Sequence, residues 1–293
     1  MFTQRLYIIM IKCICSYFNY YEDELRKQNY IKFRKNFAHD LLTVEVAKDE
    51  SEFFIDDAIQ IIAKPENLLW QKERCFNIAL ESLPPSVDKI VWVDTDIIFH
   101  NKNWLDDLET QLDNYAFVQP FERVVEINNH YNHNLNCFGY GKLVYDKIQD
   151  GSTLPASIAQ GLSWGVNRSI LKNGFYDKHI LGSNDALQLI SWLGDVFNII
   201  LLQLPHSLIM DFLDYYNDMD HFLGSNMNYC KGVVEHMYHG DTFKRGYNAR
   251  EKLFRENFEI DDLEIDNNGL YKLNNNKKLL EITNHFSNLP THT

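Results

Sequence analysis

The feature that most constrains this 293-residue chain is a short apolar strand closed by two carboxylates, set behind an alternation of strand and helix patterns. Lys89-Ile90-Val91-Trp92-Val93 is apolar and β-branched and is entered from the turn-rich Leu83-Pro84-Pro85-Ser86, which marks a buried strand. Before it, the spacing predicts a strand over Leu6–Cys15, a helix over Tyr20–Phe37 and short strands at Leu41–Val46 and Ala58–Ala63. A helix follows over Glu66–Leu83, with Leu68, Leu69, Cys75, Phe76, Ala79 and Leu80 on roughly one face. Strand and helix alternating in this way predicts an α/β fold, a mostly parallel central sheet flanked by helices.

Past the carboxylates, helices are expected at Trp104–Asn114, Asn184–Leu193 and Ser207–Leu223, and strands at Tyr115–Pro120, Asn198–Leu204 and Gly232–Tyr238. Residues 122–163 show no clear period. They carry His130, His133 and Gly139-Tyr140-Gly141 and read as a long excursion able to cover a site. There is no internal repeat, long charge block or Ser/Gly linker. The expected organisation is one catalytic-type domain over residues 1–250, with residues 251–293 as a C-terminal extension packed on it or trailing from it.

At the strand's end stand Asp94 and Asp96. In an extended segment, residues i and i+2 point to the same side, so both carboxylates are expected to converge beyond the sheet edge, where open α/β sheets bind ligands. Two like charges that close need a cation, and oxygen ligands there suit Mg²⁺ or Mn²⁺, which also hold substrate phosphates. An isolated Asp-x-Asp more often caps a turn; the surrounding sequence tips the balance here. The net charge of −13, with no large basic cluster, argues against nucleic acid as the main partner and against anionic membrane. A protein this acidic needs a metal if it is to hold an anionic nucleotide.

The cysteines (Cys13, Cys15, Cys75, Cys137, Cys230) are odd in number and lack metal-site spacing, so buried, reduced thiols are expected. Leu6 to Tyr17 is apolar but too short to span a bilayer, is broken by Lys12 and has no small-residue cleavage pattern. It reads as the first core strand, and a soluble protein without membrane anchor is expected.

Four blocks, in order, resemble the nucleotide-sugar-dependent glycosyltransferases of the GT-A fold, in particular bacterial, phage and viral transferases with galactosyltransferase-like motifs. They are Trp70-Gln71-Lys72-Glu73-Arg74-Cys75-Phe76-Asn77; Val91 to Phe99 with its Asp-Thr-Asp; Gly161-Leu162-Ser163-Trp164-Gly165 through Gly174-Phe175 to Gly182-Ser183-Asn184-Asp185; and His236-Met237-Tyr238-His239-Gly240 with Arg245, Tyr247 and Arg250. The resemblance covers about residues 70 to 250 and carries no information on the sugar.

It implies a GT-A (Rossmann-like) fold and transfer of a sugar from a nucleoside diphosphate, UDP by the family's habit, to a sugar or glycan hydroxyl. It implies Asp96 as a direct ligand of Mn²⁺ or Mg²⁺, Asp94 on the metal or the donor ribose, and a late histidine completing the metal shell, His239 or His236. Because two histidines three apart on a strand end point to opposite faces, one ligand is expected, and His239 is favoured. Lys72, Asn77, Arg245 and Arg250 fall to the donor, and Trp164 to a sugar-stacking cradle. Asp185, at the start of a helix, is either a cap or the base that takes the acceptor proton with inversion. This chain has Asn184 before a single Asp185, where such enzymes carry a richer acidic run, which leaves the base and the stereochemistry open.

The expected location is the cytoplasm, the host's if the source is viral. Two alternatives use the same residues. One is a haloacid-dehalogenase-like phosphatase with Asp94 as nucleophile and Asp96 as acid/base, whose motif usually lies on the first strand. The other is a carbohydrate-binding relic of the transferase fold that has lost turnover.

Overall fold

Alternation along the central strands decides how the sheet is covered. In the computed structural model, which describes residues 10–20, 22–127, 133–150, 158–182, 184–194, 199, 202–219, 226–240 and 247–274, the first half of the chain is β1 (Met10–Phe18), α1 (Glu24–Asn36), β2 (Leu41–Ala47), β3 (Ile59–Ile62), α2 (Lys72–Ser82), β4 (Val87–Val93), β5 (Ile97–Phe99), α3 (Trp104–Leu112) and β6 (Phe117–Gln119). Ile90 and Trp92 of β4 face a core shared with Cys75, Phe76 and Ala79 of α2. Val91 and Val93 face the opposite core, with Tyr30 and Phe33 of α1 and Leu108 of α3. A strand buried on both faces is apolar nearly throughout, and Lys89, buried at its start, has its ammonium paired with the Glu109 carbonyl of α3 and with Asp113 just past that helix.

The second half continues with β7 (Arg123–Ile127), β8 (His133–Gly139), α4 (Tyr140–Asp150), β9 (Ile158–Ala159), β10 (Ser163–Asn167), α5 (Asn184–Leu193), α6 (His206–Asn217), β11 (Met227–Tyr229), β12 (Val233–His236), α7 (Tyr247–Asn257), β13 (Leu263–Ile265) and β14 (Tyr271–Leu273). The main sheet has the order β11-β6-β10-β4-β1-β2-β3. All its pairs are parallel except those of β10, which runs antiparallel between β4 and β6. The mostly parallel sheet flanked by helices is therefore as expected. Gly165 in β10 lets α3 approach: a Cβ there would stand 2.8 Å from Leu108 Cδ2.

Two sequence expectations need correction. Residues 122–163, read as a long excursion without clear period, carry regular elements. Their described part forms β7, β8, α4 and β9, and the strands join a second sheet of order β5-β12-β7-β8-β9. β7 pairs on one side with β8 and on the other with β12, about a hundred residues later, a partner that local period could not reveal. Residues 198–204 contain no strand among the described residues: Ile199 and Leu202 lie in 3-10 turns, Gln203 sits at φ 50°, and Pro205 caps α6. Ile199 is buried in the main core.

β13 and β14 form a hairpin whose Leu270, Tyr271 and Leu273 belong to the main core. Gln71, the residue capping α2, donates to the Tyr271 carbonyl (2.7 Å) and accepts from its N–H (3.2 Å). The start of α2 is thus fixed by the last described hairpin. Among the described residues no helix is long and apolar enough to cross a membrane, and the five cysteines are free thiols.

Candidate metal and donor site

β4 stops at Val93, and the chain turns through Asp94-Thr95-Asp96 into β5. The two carboxylates therefore do not share an extended segment, and they part company. Backbone bonds pin the turn on both sides: Asp94 N–H donates to the Leu162 carbonyl (2.7 Å), and Met237 N–H donates to the Asp96 carbonyl (2.8 Å).

Asp96 faces two imidazoles. Its Oδ2 is 3.6 Å from His236 Nε2 and 3.8 Å from His239 Nδ1, and one ligand atom from each of the three residues lies within 4.8 Å of the others. Both histidines reach the same point because β12 ends at His236. Beyond it the chain leaves the period of two, with Gly240 at φ 97°, so the opposite-face rule no longer applies to His239. The ring centroids are 4.6 Å apart. Burial works against ionising Asp96, but His236 and His239 outweigh it and hold the carboxyl well below its usual range. Burial likewise opposes a charge on His236, and Asp96 and Glu126 overcome it, raising the imidazole to about 10. One carboxylate oxygen and two imidazole nitrogens converging in this way fit a divalent transition ion such as Mn²⁺, which accepts mixed O and N ligands.

Asp94 lies outside that group and has a cation of the protein's own. Lys72, the first residue of α2, places Nζ 2.8 Å from Asp94 Oδ1 and 3.5 Å from Asp185 Oδ2, the latter in the first turn of α5. Burial disfavours the ammonium, yet Asp185, Asp94 and Glu73 together hold it charged above its ordinary range. Burial pushes Asp94 up to about 6, against the pull of Lys72 and with the help of Asp185 and Asp96. Glu73 is buried behind Lys72 and accepts from Asn184 Nδ2 (2.8 Å), which ties α2 to α5; burial raises its carboxyl despite Lys72. Gly161 backs directly onto Asp185: a Cβ there would stand 2.5 Å from Oδ2.

The structure thus gathers Asp94, Asp96, Asp185, Lys72 and both His236 and His239 at the carboxyl end of β4. It places two other expected residues elsewhere. Asn77 is buried on the far side of α2, where it clamps Phe175 through both backbone groups (2.7 and 2.9 Å) and donates to Asp177 Oδ2 (2.7 Å). Gly174, at φ 71°, lets that segment pass, since a Cβ would stand 2.6 Å from Asn77 Oδ1. Trp164 is 1% exposed; its ring packs against Phe117 and Trp192, and its indole N–H donates to the Gln160 carbonyl (2.8 Å). A residue on a central strand buried on both faces has no free ring face to offer a sugar, so Trp164 is a core residue. Arg245 and the side chain of Arg250 lie outside the described residues. Glu73 and Glu126 were not singled out from sequence, and only the three-dimensional neighbourhood identifies them.

No protein-family model matches the chain, and neither does any curated protein. Among solved structures, it is similar to the mannosyltransferase PcManGT from Pyrobaculum calidifontis in complex with GDP-Man and Mn²⁺, at 12% identity and a TM-score of 0.39, over 95% of this chain and 69% of that one. It is similar to glucosyl-3-phosphoglycerate synthase from Mycobacterium tuberculosis in complex with Mn²⁺, UDP-Glc and phosphoglyceric acid, at 11% identity and a TM-score of 0.39, over 84% of this chain and 78% of that one. A third is the catalytic domain of Drosophila β1,4-galactosyltransferase 7 in complex with xylobiose, at 10% identity and a TM-score of 0.35, over 94% of this chain and 99% of that one. At such identities and TM-scores, the chemistry of this site has to be argued from its own residues.

Proposed function

We propose that this protein is a metal-dependent glycosyltransferase that moves a sugar from a nucleoside-diphosphate sugar to a sugar or glycan hydroxyl. The observation that carries the reading is the convergence of Asp96, His236 and His239 beside a second cluster, Lys72 with Asp94 and Asp185. Asp96 and the two histidines hold the divalent ion, Mn²⁺ by the character of their donors. When bound, that ion neutralises the diphosphate of the donor and of the departing nucleotide.

The chain's own groups supply the rest. Lys72 is buried against both carboxylates, and its ammonium is positioned to meet a donor phosphate or hydroxyl presented at Asp94. Asp185 keeps nearly a third of its side chain exposed, so its carboxylate is open to an incoming acceptor. As the acceptor oxygen bonds to the anomeric carbon and the bond from that carbon to the diphosphate oxygen breaks, Asp185 takes the hydroxyl proton. Attack from the face opposite the leaving group inverts the anomeric centre. UDP is the first nucleotide to test, and free thiols, most of them buried, fit a reducing compartment such as the cytoplasm.

The test is a thermal-shift panel of UDP, GDP, CMP and dTDP, each with Mn²⁺, Mg²⁺ or EDTA. A ligand of the native state raises the melting temperature by mass action. The expected result is a rise with one nucleoside diphosphate that requires metal and is lost in Asp96→Ala. Absence of any metal-dependent nucleotide shift would overturn the reading.

A further inference from the structure

Resting on the metal reading above, we propose that Glu126 is a positioning residue for the metal centre, acting through His236 rather than on the ion. The two ring nitrogens of His236 face two different carboxylates. Nε2 points to Asp96 Oδ2 at 3.6 Å, and Nδ1 points to Glu126 Oε1 at 3.7 Å. This follows from strand register: β12 lies parallel to β7 with His236 directly paired to Glu126, and antiparallel to β5 with His236 paired to Ile97, one residue past Asp96. Directly paired residues of neighbouring strands project to the same face, so the backbone itself sets the carboxylate beside the imidazole.

A neutral imidazole has one protonated and one bare nitrogen, and the partner of the first decides which nitrogen is free to ligate. A small side-chain rotation brings Glu126 into hydrogen-bond range of Nδ1–H. The proton then stays on Nδ1, and the Nε2 lone pair faces Asp96. Such carboxylate–histidine pairs orient metal ligands and raise their basicity. On His239 the nitrogen nearest Asp96, Nδ1, is also 3.1 Å from the Met237 carbonyl, so a proton donated there leaves Nε2 as the atom able to ligate. Glu126 is thus the carboxylate that strand register sets against the far nitrogen of His236.

The experiment measures Mn²⁺ affinity by titration calorimetry or by electron paramagnetic resonance of free Mn²⁺, without nucleotide. It compares the full chain with Glu126→Ala, Glu126→Gln, His236→Ala and His236→Ala combined with Glu126→Ala. Glu126→Ala is expected to weaken Mn²⁺ about 10- to 100-fold. Glu126→Gln, whose amide oxygen still accepts from Nδ1–H, is expected to lose less. In the His236→Ala background, removing Glu126 is expected to change affinity less than about twofold, because the ring it orients is gone. Equal losses with and without His236 would mean that Glu126 acts only as a nearby negative charge, and unchanged affinity in Glu126→Ala and Glu126→Gln would remove any role; either result overturns the inference. If the unmodified chain binds no Mn²⁺, the metal reading itself fails and this inference goes with it.

Discussion

Replacing Lys72 by Met keeps an apolar stem of similar length and removes only the ammonium. At an effective dielectric of about 20, the attraction of that charge to Asp94 at 2.8 Å is about 6 kcal/mol, and to Asp185 at 3.5 Å about 5 kcal/mol. These gross attractions are largely offset by the cost of taking Lys72, 8% exposed at its side chain, out of water. Removing one partner of a buried pair costs about 3–5 kcal/mol because the other is left unpaired. Asp94 and Asp185 retain 23% and 30% exposure, so water replaces part of what is lost, and a net destabilisation of about 2–3 kcal/mol is expected for Lys72→Met. The measurement is urea unfolding in EDTA, which keeps metal binding out of the comparison, for Lys72→Met, Asp94→Asn and the double variant. The double variant should be less destabilised than the sum of the singles, by at least about 1.5 kcal/mol, because Asp94→Asn removes one of the orphaned charges. Additivity within about 0.5 kcal/mol would refute the view that Lys72 is the structural counter-ion of Asp94.

Two further outcomes concern the supports of the site. In Gly161→Ala the new methyl meets Asp185 Oδ2, a side-chain end that can swing aside, so stability should change by less than about 1 kcal/mol. The displaced carboxylate should nevertheless slow sugar transfer by about 10- to 100-fold, and an unchanged rate would argue against Asp185 as base. Asp177 is buried, and although Tyr271, Asn77 and Arg74 favour its charge, burial holds its carboxyl above the ordinary range. Its folded value lies above its unfolded one, so the folded state keeps the proton to higher pH; stability is greatest below the ordinary carboxylate range and falls as pH rises through the window up to the raised value. Asp177→Asn should flatten that part of the stability profile, as read by urea midpoints across acidic pH.

The central strands were legible because they are buried on both faces, and continuous apolar runs such as Ile90–Val93 have few other uses. Helix α2 showed its face through Cys75, Phe76 and Ala79, all of which the structure buries. The second sheet was hidden because Arg123–Ile127 and Val233–His236 find each other only in space. At the site, the sequence pointed to Asp94, Asp96, Asp185, Lys72 and the late histidines. It treated Asp94 and Asp96 as partners, whereas a turn after Val93 sends one to Lys72 and the other to the histidines. That turn is set by bonds to Leu162 and Met237, which no local pattern could announce. Trp164 and Asn77 misled for the opposite reason: each stands in a block that looks functional, but each completes the interior behind the site.

The reversed strand in the middle of the main sheet bears on how the chain is made. β4 leaves the ribosome early and can pair at once with β1, but its other edge has no partner until Ser163–Asn167 of β10 has been synthesised. Throughout that interval an apolar strand presents an open ladder of N–H and C=O groups, the kind of surface to which another chain can add itself. Yield of native protein should therefore depend on crowding among nascent chains and on chaperones that shield that edge, and translation pauses placed between residues 93 and 163 should increase aggregation.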